Sequence, residues 1–192
     1  MKAILFDADG VLALPEEAFS VVYTRSHGLD IAPINSFFET EWRDFVVGKR
    51  DLKEHIADTP ELWKWHGTPD ELLDFWFRTE DVQNHELLDI IQQLRAQNVP
   101  CYVATEQEKY RTEYMQNVMF PDKFDGFFST AELGFRKTDP KFFETILDKL
   151  QLAPSDVTFF DDSESKIRTA ASIGIDARLY THAQQVRALI DS

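Results

Sequence analysis

Ala3-Ile4-Leu5-Phe6-Asp7-Ala8-Asp9-Gly10 places four apolar residues directly ahead of two aspartates and a glycine. An unbroken apolar run of this length, closed by turn residues, reads as a strand buried on both faces at the centre of a parallel sheet. Three later runs look alike. They are Cys101-Tyr102-Val103-Ala104 ending at Thr105, Val157-Thr158-Phe159-Phe160 ending at Asp161, and Ala177-Arg178-Leu179-Tyr180. Phe127-Phe128-Ser129 is a weaker fifth. Helical faces lie between them: Leu87, Leu88, Ile90, Ile91 and Leu94, then Phe142, Phe143, Ile146, Leu147 and Leu150, then Ile167, Ala170, Ala171 and Ile173 running to a capping Gly174. Strands alternating with helices imply right-handed crossovers and an α/β fold with a doubly wound parallel sheet.

The interval from Leu14 to Asp81 breaks the alternation. It holds no convincing strand, but it has helix-start signals at Pro15, Pro33, Thr59-Pro60 and Thr68-Pro69. Trp42, Trp63, Trp65 and Trp76, all the tryptophans of the chain, fall inside it, as do 15 acidic and 7 basic residues. The reading is a catalytic core formed by residues 1–13 and 82–192, with a helical domain of residues 14–81 inserted after the first strand. The tryptophans then read as the aromatic core of that insertion.

Composition narrows the partners. The chain has 192 residues, enough for one domain or one domain with an insertion, and 43% apolar residues, enough for a real core. Its 34 acidic against 20 basic residues give a net charge of −14. Such a surface repels nucleic-acid phosphates and anionic lipid, so neither nucleic acid nor membrane is expected as a partner. A single cysteine, Cys101, forms no intramolecular disulfide and suits a reducing compartment. The apolar start is too short for a signal peptide, and no apolar run reaches the roughly 18 residues of a membrane span. A cytoplasmic location is the expectation; oligomeric state is not legible.

In open α/β sheets, ligands bind where the carboxyl ends of the strands meet. Asp7 and Asp9, Thr105, and Asp161 with Asp162 should therefore converge, with Lys137 arriving from a loop. Carboxylates gathered so closely raise each other's pKa unless a cation neutralises them. Oxygen-only ligands suit Mg²⁺, which favours carboxylates, water and a substrate phosphate. Nucleophilic carboxylate, second carboxylate, hydroxyl, ammonium and metal are the parts needed to move a phosphoryl group through an aspartyl-phosphate.

From Lys2 to about Tyr180 the chain resembles the haloacid dehalogenase (HAD) superfamily of phosphohydrolases, in the subtype with a helical cap after the first motif. Four motifs occur in order: Asp7-Ala8-Asp9-Gly10-Val11, Val103-Ala104-Thr105, Lys137 within Arg136-Lys137-Thr138-Asp139-Pro140, and Phe160-Asp161-Asp162-Ser163. The resemblance implies a HAD-like Rossmannoid core and a Mg²⁺ cofactor. It implies that Asp7 attacks phosphorus and ligates Mg²⁺, and that Asp9 handles the leaving-group proton and lends the metal its backbone carbonyl. Thr105 and the amide of Glu106 would hold the phosphoryl oxygens, and Lys137 would offset charge. Asp162 would complete the metal site, with Asp161 nearby or bridging through water. An aspartate two residues after the nucleophile favours phosphate over halide. Two departures stand out. Glu106 brings a negative charge where small or amide residues are common, so its side chain must turn away or narrow the substrates. Thr138 replaces a frequent proline after the lysine.

The implied activity is hydrolysis of a phosphate monoester of a small metabolite. A sugar phosphomutase would use the same groups but needs a cap site for a second phosphate, and Lys49, Arg50 and Lys53 are the only basic cluster there. A phospho-accepting receiver module shares the aspartates, Thr and Lys, but orders its motifs differently and lacks the helical insertion. Gly48-Lys49-Arg50-Asp51 resembles a cap loop that contacts substrate, which marks Lys49 and Arg50 as specificity candidates. The plainer reading, a solvated charged helix start, is the favoured one for this turn. His27, His55, His66, His85 and His182 form no ligand-spaced pair.

Overall fold

A computed structural model describes residues 2–190. Five parallel strands, β1 (Ala3–Phe6), β2 (Cys101–Thr105), β3 (Gly126–Ser129), β4 (Val157–Asp161) and β5 (Asp176–Leu179), form one sheet in the order β3-β2-β1-β4-β5. The three central runs are buried, as unbroken apolar character requires. Phe127-Phe128-Ser129, the weak candidate, is a full edge strand. The Ala177–Tyr180 run differs from its expected likeness to the others: β5 is the opposite edge, begins one residue earlier and is mostly exposed. Only one neighbour, β4, pairs with it, so nothing demands apolar residues on both faces.

Strand side chains alternate between two helical layers. Ile4, Phe6, Val103 and Phe160 pack towards Leu87, Ile90, Ile91 and Leu94. Leu5, Ala104 and Phe159 pack towards Phe142, Phe143, Ile146 and Ala170 on the other face.

Six helices after β1 form the inserted unit: α1 (Phe19–His27), α2 (Ala32–Thr40), α3 (Trp42–Val46), α4 (Leu52–Asp58), α5 (Pro60–Trp63) and α6 (Pro69–Thr79). Pro60 and Pro69 occupy the first helical positions, where a missing N–H costs nothing. A reciprocal box adds to the start of α6: Glu71 N–H donates to Thr68 Oγ1 at 3.3 Å, and Thr68 N–H donates to Glu71 Oε2 at 2.7 Å. Pro15 starts no helix; α1 begins at Phe19, whose N–H is satisfied by Glu80 Oε1 at 2.8 Å. The six helices share a separate core of Phe19, Tyr23, Phe37, Phe45, Trp63 and neighbours. The two strands of chain that join this unit to the sheet run side by side, with Leu14 N–H on Val82 O and Asn84 N–H on Leu12 O, each at 2.8 Å.

The remaining helices are α7 (His85–Ala96), α8 (Lys109–Tyr114), α9 (Thr130–Leu133), α10 (Pro140–Leu150), α11 (Glu164–Ser172) and α12 (Gln184–Arg187). Gly174 ends α11 as its spacing suggests: its N–H donates to Ala171 O at 3.0 Å while Ile175 N–H reaches Ala170 O at 3.3 Å.

The cap sits on the core through the turn ahead of α4. Tyr110 Oη donates to Asp51 Oδ2 at 2.8 Å, and Lys109 pairs with the same carboxylate. At Gly48, φ is +71°, and a Cβ would lie 2.5 Å from the carbonyl oxygen of Ala131 in the core. Gly48→Ala should therefore loosen this seat. The strain of a left-handed alanine alone is about 1 kcal/mol, equivalent to about 2–4 °C in a chain of this size. A melting curve checks it, and the backbone clash should carry the loss beyond that range.

Candidate active site

Strand order reverses at β1, with β2 on one side and β4 on the other, so a crevice opens at its carboxyl end. Asp7 follows β1, and its N–H donates to Phe160 O at 2.9 Å, which sets it level with Asp161 at the end of β4. Both carboxylates are buried, at 2% and 0% exposure. Lys137, itself fully buried, makes this possible. Its ammonium has three donors and meets three acceptors: Asp7 Oδ1, Asp161 Oδ2 at 2.7 Å and Ala104 O at 3.2 Å.

A second ammonium, Lys166 Nζ, lies 3.3 Å from Asp7 Oδ2 and 3.8 Å from Asp161 Oδ1. Sequence reasoning passed over Lys166. Its signal was a lysine in the first turn of α11, an end of the helix that ordinarily favours acids. Burial works to raise the Asp7 pKa, but Lys137 and then Lys166 outweigh it and hold the carboxyl below the usual range. Asp161 goes the other way, to about 7, because burial and the Asp7 charge exceed the pull of Lys137. The pair thus keeps Asp7 as the ionised partner.

Carboxylate oxygens of Asp7, Asp161 and exposed Asp162 all lie within 4.8 Å of one another. Gly10, at φ +78°, admits this grouping: a Cβ there would fall 2.2 Å from Asp162 Oδ2. The side chain of Asp9 stands outside the group and points to Gln107, whose Nε2 donates to Asp9 Oδ2. Asp9 keeps accessible surface towards a cavity, yet the crowding walls desolvate it. That desolvation, with the charges of Asp7 and Glu80 and against the pull of Arg111, raises its pKa to about 6. Gln107 was also missed; nothing in its local pattern marks a residue two past the end of β2.

Thr105 ends β2, buried and level with Ser129 of β3. The Glu106 side chain turns away, accepting from Arg136 Nε at 2.6 Å and from Lys137 N–H at 3.3 Å. Its unusual charge therefore braces the loop that carries Lys137. Beyond Thr138 that loop closes through Asp139 N–H on Arg136 O at 2.9 Å. Lys49 and Arg50 lie elsewhere. They line a separate hollow with Asp51, Glu108 and Lys109, and Arg50 is engaged by Glu41 at 2.7 Å and by His55 Nδ1 at 3.0 Å. The turn is a helix start, with Asp51 capping α4.

The cavity at Asp9 measures about 420 Å³ and runs between Glu106 and Gln107 of the core and Phe19, Phe38, Trp42 and Trp76 of the cap. Trp63 is cap core, as expected, whereas Trp42 and Trp76 also form cavity wall.

Residues 1–174 match the haloacid dehalogenase-like hydrolase family. The chain belongs to that family and is a hydrolase. Among its relatives, a sesquiterpene phosphatase of Aspergillus oryzae is 26% identical over 179 residues, covering 91% of this chain and 87% of the relative. A phosphorylated carbohydrates phosphatase of Thermotoga maritima is 23% identical over 197 residues, covering 94% and 84%. A HAD family enzyme of Bacteroides thetaiotaomicron, solved with magnesium and inorganic phosphate, superposes with a TM-score of 0.80 at 19% identity, covering 94% of each chain. No helix among the described residues of this hydrolase is long and apolar enough to cross a membrane.

The raised pKa of Asp9 has a sign that stability can report. The folded protein holds this proton more tightly than the unfolded chain, so the ionised carboxylate costs stability above about pH 6 and nothing below about pH 4. Asp9→Asn should raise stability at pH 7.5 by about 1 kcal/mol, the full shift being discounted for the open side of the group. At pH 4 the gain should vanish. Melting temperatures without divalent cations measure both.

Proposed function

We propose that this hydrolase is a magnesium-dependent phosphatase that cleaves a phosphate monoester of a small metabolite through an aspartyl-phosphate on Asp7. The observation that carries the reading is a pair of carboxylates with pKa values pushed apart: Asp7 held ionised between two ammoniums, and Asp9 able to carry a proton near pH 6. Groups separated in this way divide into nucleophile and acid.

In the first transfer, an Asp7 oxygen bonds to phosphorus, the bond from phosphorus to the alcohol oxygen breaks, and Asp9 gives that oxygen its proton. In the second, water attacks phosphorus, Asp9 takes the proton back, and the Asp7–phosphorus bond breaks to release inorganic phosphate. Gln107 orients the Asp9 carboxyl for both. Lys137 and Lys166 offset the charge that collects on Asp7 and the phosphoryl oxygens, and Thr105 with the amide of Glu106 binds those oxygens.

The oxygen-only set of Asp7, Asp161 and Asp162, admitted by Gly10, suits a hard divalent cation. Asp9 would add its backbone carbonyl. Bound magnesium would supply positive charge that orients the phosphoryl group and lowers its resistance to an anionic nucleophile. A phosphomutase would need a basic site for a second phosphate beside Asp9. The basic cluster of the cap stands at its own hollow instead, and Lys53 is engaged by Asp70.

Hydrolysis of p-nitrophenyl phosphate should require magnesium and stop on chelation. It should fall about 10³-fold or more in Asp7→Asn and about 10²–10⁴-fold in Asp9→Asn. Undiminished turnover by Asp7→Asn would overturn the proposal. Magnesium should also raise the melting temperature of the wild-type chain by mass action, and Asp162→Asn should lose that shift.

A further inference from the structure

The two ammoniums of the site stand on one side, and the guanidinium nearest the other side, that of Arg111, is paired with Glu80. Lys137 and Lys166 face Asp7 and Asp161, where a phosphoryl group would lie. Beyond Asp9, where the alcohol of the ester would emerge, the cavity wall is of another kind. Trp76 is its centre: Phe19 stacks on it at 4.5 Å between ring centroids, Phe38 meets it edge-on at 5.3 Å and Trp42 lies at 5.4 Å. The charged residues lining the same space are all acids, Asp9, Glu39, Glu80 and Glu106.

Two of these acids have their charge answered locally. Glu106 pairs with Arg136, and Glu80 accepts from Trp76 Nε1 at 3.0 Å with Arg111 3.7 Å away. Glu39, exposed on α2 at the mouth of the cavity, has no ion pair among the described residues. Aromatic faces favour apolar or cationic groups, through contact area and the negative charge of the ring faces. Unpaired carboxylates disfavour a second anion.

We infer that the substrates are phosphate monoesters of alcohols that carry apolar surface and no further anionic group, with the alcohol seated against Phe38, Trp42 and Trp76. This rests on the phosphatase reading and specifies what that site accepts. Carboxylated phosphoesters, sugar bisphosphates and nucleotides are rejected by the acid-lined wall. A volume of about 420 Å³ accommodates an alcohol of around ten to fifteen heavy atoms, within the usual range for small-ligand pockets.

The test compares kcat/KM for four phosphate monoesters of three classes. Geranyl phosphate and 2-naphthyl phosphate carry apolar alcohols, 3-phosphoglycerate carries a second anion, and glycerol 3-phosphate serves as the small neutral reference. The apolar pair should exceed glycerol 3-phosphate by about tenfold or more, the scale that a few buried methylenes supply, and 3-phosphoglycerate should fall below it. Trp42→Ala should remove the apolar preference, chiefly through KM, lowering kcat/KM for geranyl phosphate more than for glycerol 3-phosphate. Trp42 is also packed in the cap, so Glu39→Lys provides a variant that disturbs no core. It should raise the ratio of 3-phosphoglycerate to glycerol 3-phosphate turnover several-fold.

Equal rates on all three classes, or a preference for 3-phosphoglycerate that Glu39→Lys does not increase, would overturn the inference while leaving a working phosphatase. Loss of the phosphatase reading itself would show differently, as hydrolysis of every ester that survives Asp7→Asn.

Discussion

The ammonium of Lys137, sealed between Asp7, Asp161 and the carbonyl of Ala104, is the contact on which the arrangement of the site depends. Two carboxylates side by side at the ends of neighbouring strands would each pay several kcal/mol to leave water, and would repel one another as well. A single buried cation with all three donors used offsets both costs and fixes both carboxyl groups in place. The cation is itself held by geometry. Glu106 grips Arg136 and the Lys137 amide, so the loop cannot withdraw the lysine without breaking an ion pair at its base. The residue that looked like a liability beside a phosphate is a brace behind it.

From that contact follows a division of charge across the crevice. On the sheet side, Lys137 and Lys166 against Asp7 and Asp161 make a nearly neutral, densely bonded floor on which a phosphoryl group and a metal ion can be accommodated. On the cap side, Asp9 stands in a recess walled by aromatic rings and carboxylates, and its proton is held up to about pH 6. One carboxylate stays ionised and the other is readily protonated although only one residue separates them in the chain. The difference is environment: Asp7 faces two ammoniums, whereas Asp9 faces a glutamine, desolvating walls and other acids.

The aromatic richness of the cap serves two ends. Trp63, Phe37 and Tyr23 fill a core that six short helices could not otherwise build, and Trp76 and Trp42 extend that core to the cavity surface. A wall made from packed rings is preorganised, since each ring is already held by its neighbours. The same packing explains why Lys49 and Arg50 are not part of it. The turn that bears them is committed to seating the cap, with Gly48 pressed on Ala131 and Asp51 on Tyr110.

Much of this was readable from residue order. Unbroken apolar runs ending in Asp7, Thr105 and Asp161 specify central parallel strands, and the rule that ligands gather at strand ends brings those residues together without a structure. The reason is local: burial on both faces demands apolar residues at successive positions, and the first polar residue after them marks the sheet edge. What depended on tertiary contact lay beyond any such period. The exposed face of β5 follows from having one neighbour, and the roles of Lys166, Gln107 and Glu106 follow from helix and loop packing against the strand ends. Whether a tryptophan is core or cavity wall is decided by what stands opposite it. Spacing along a chain records which face a residue shares, but a charge or a ring acquires its task from partners that are distant in sequence and only the folded chain brings near.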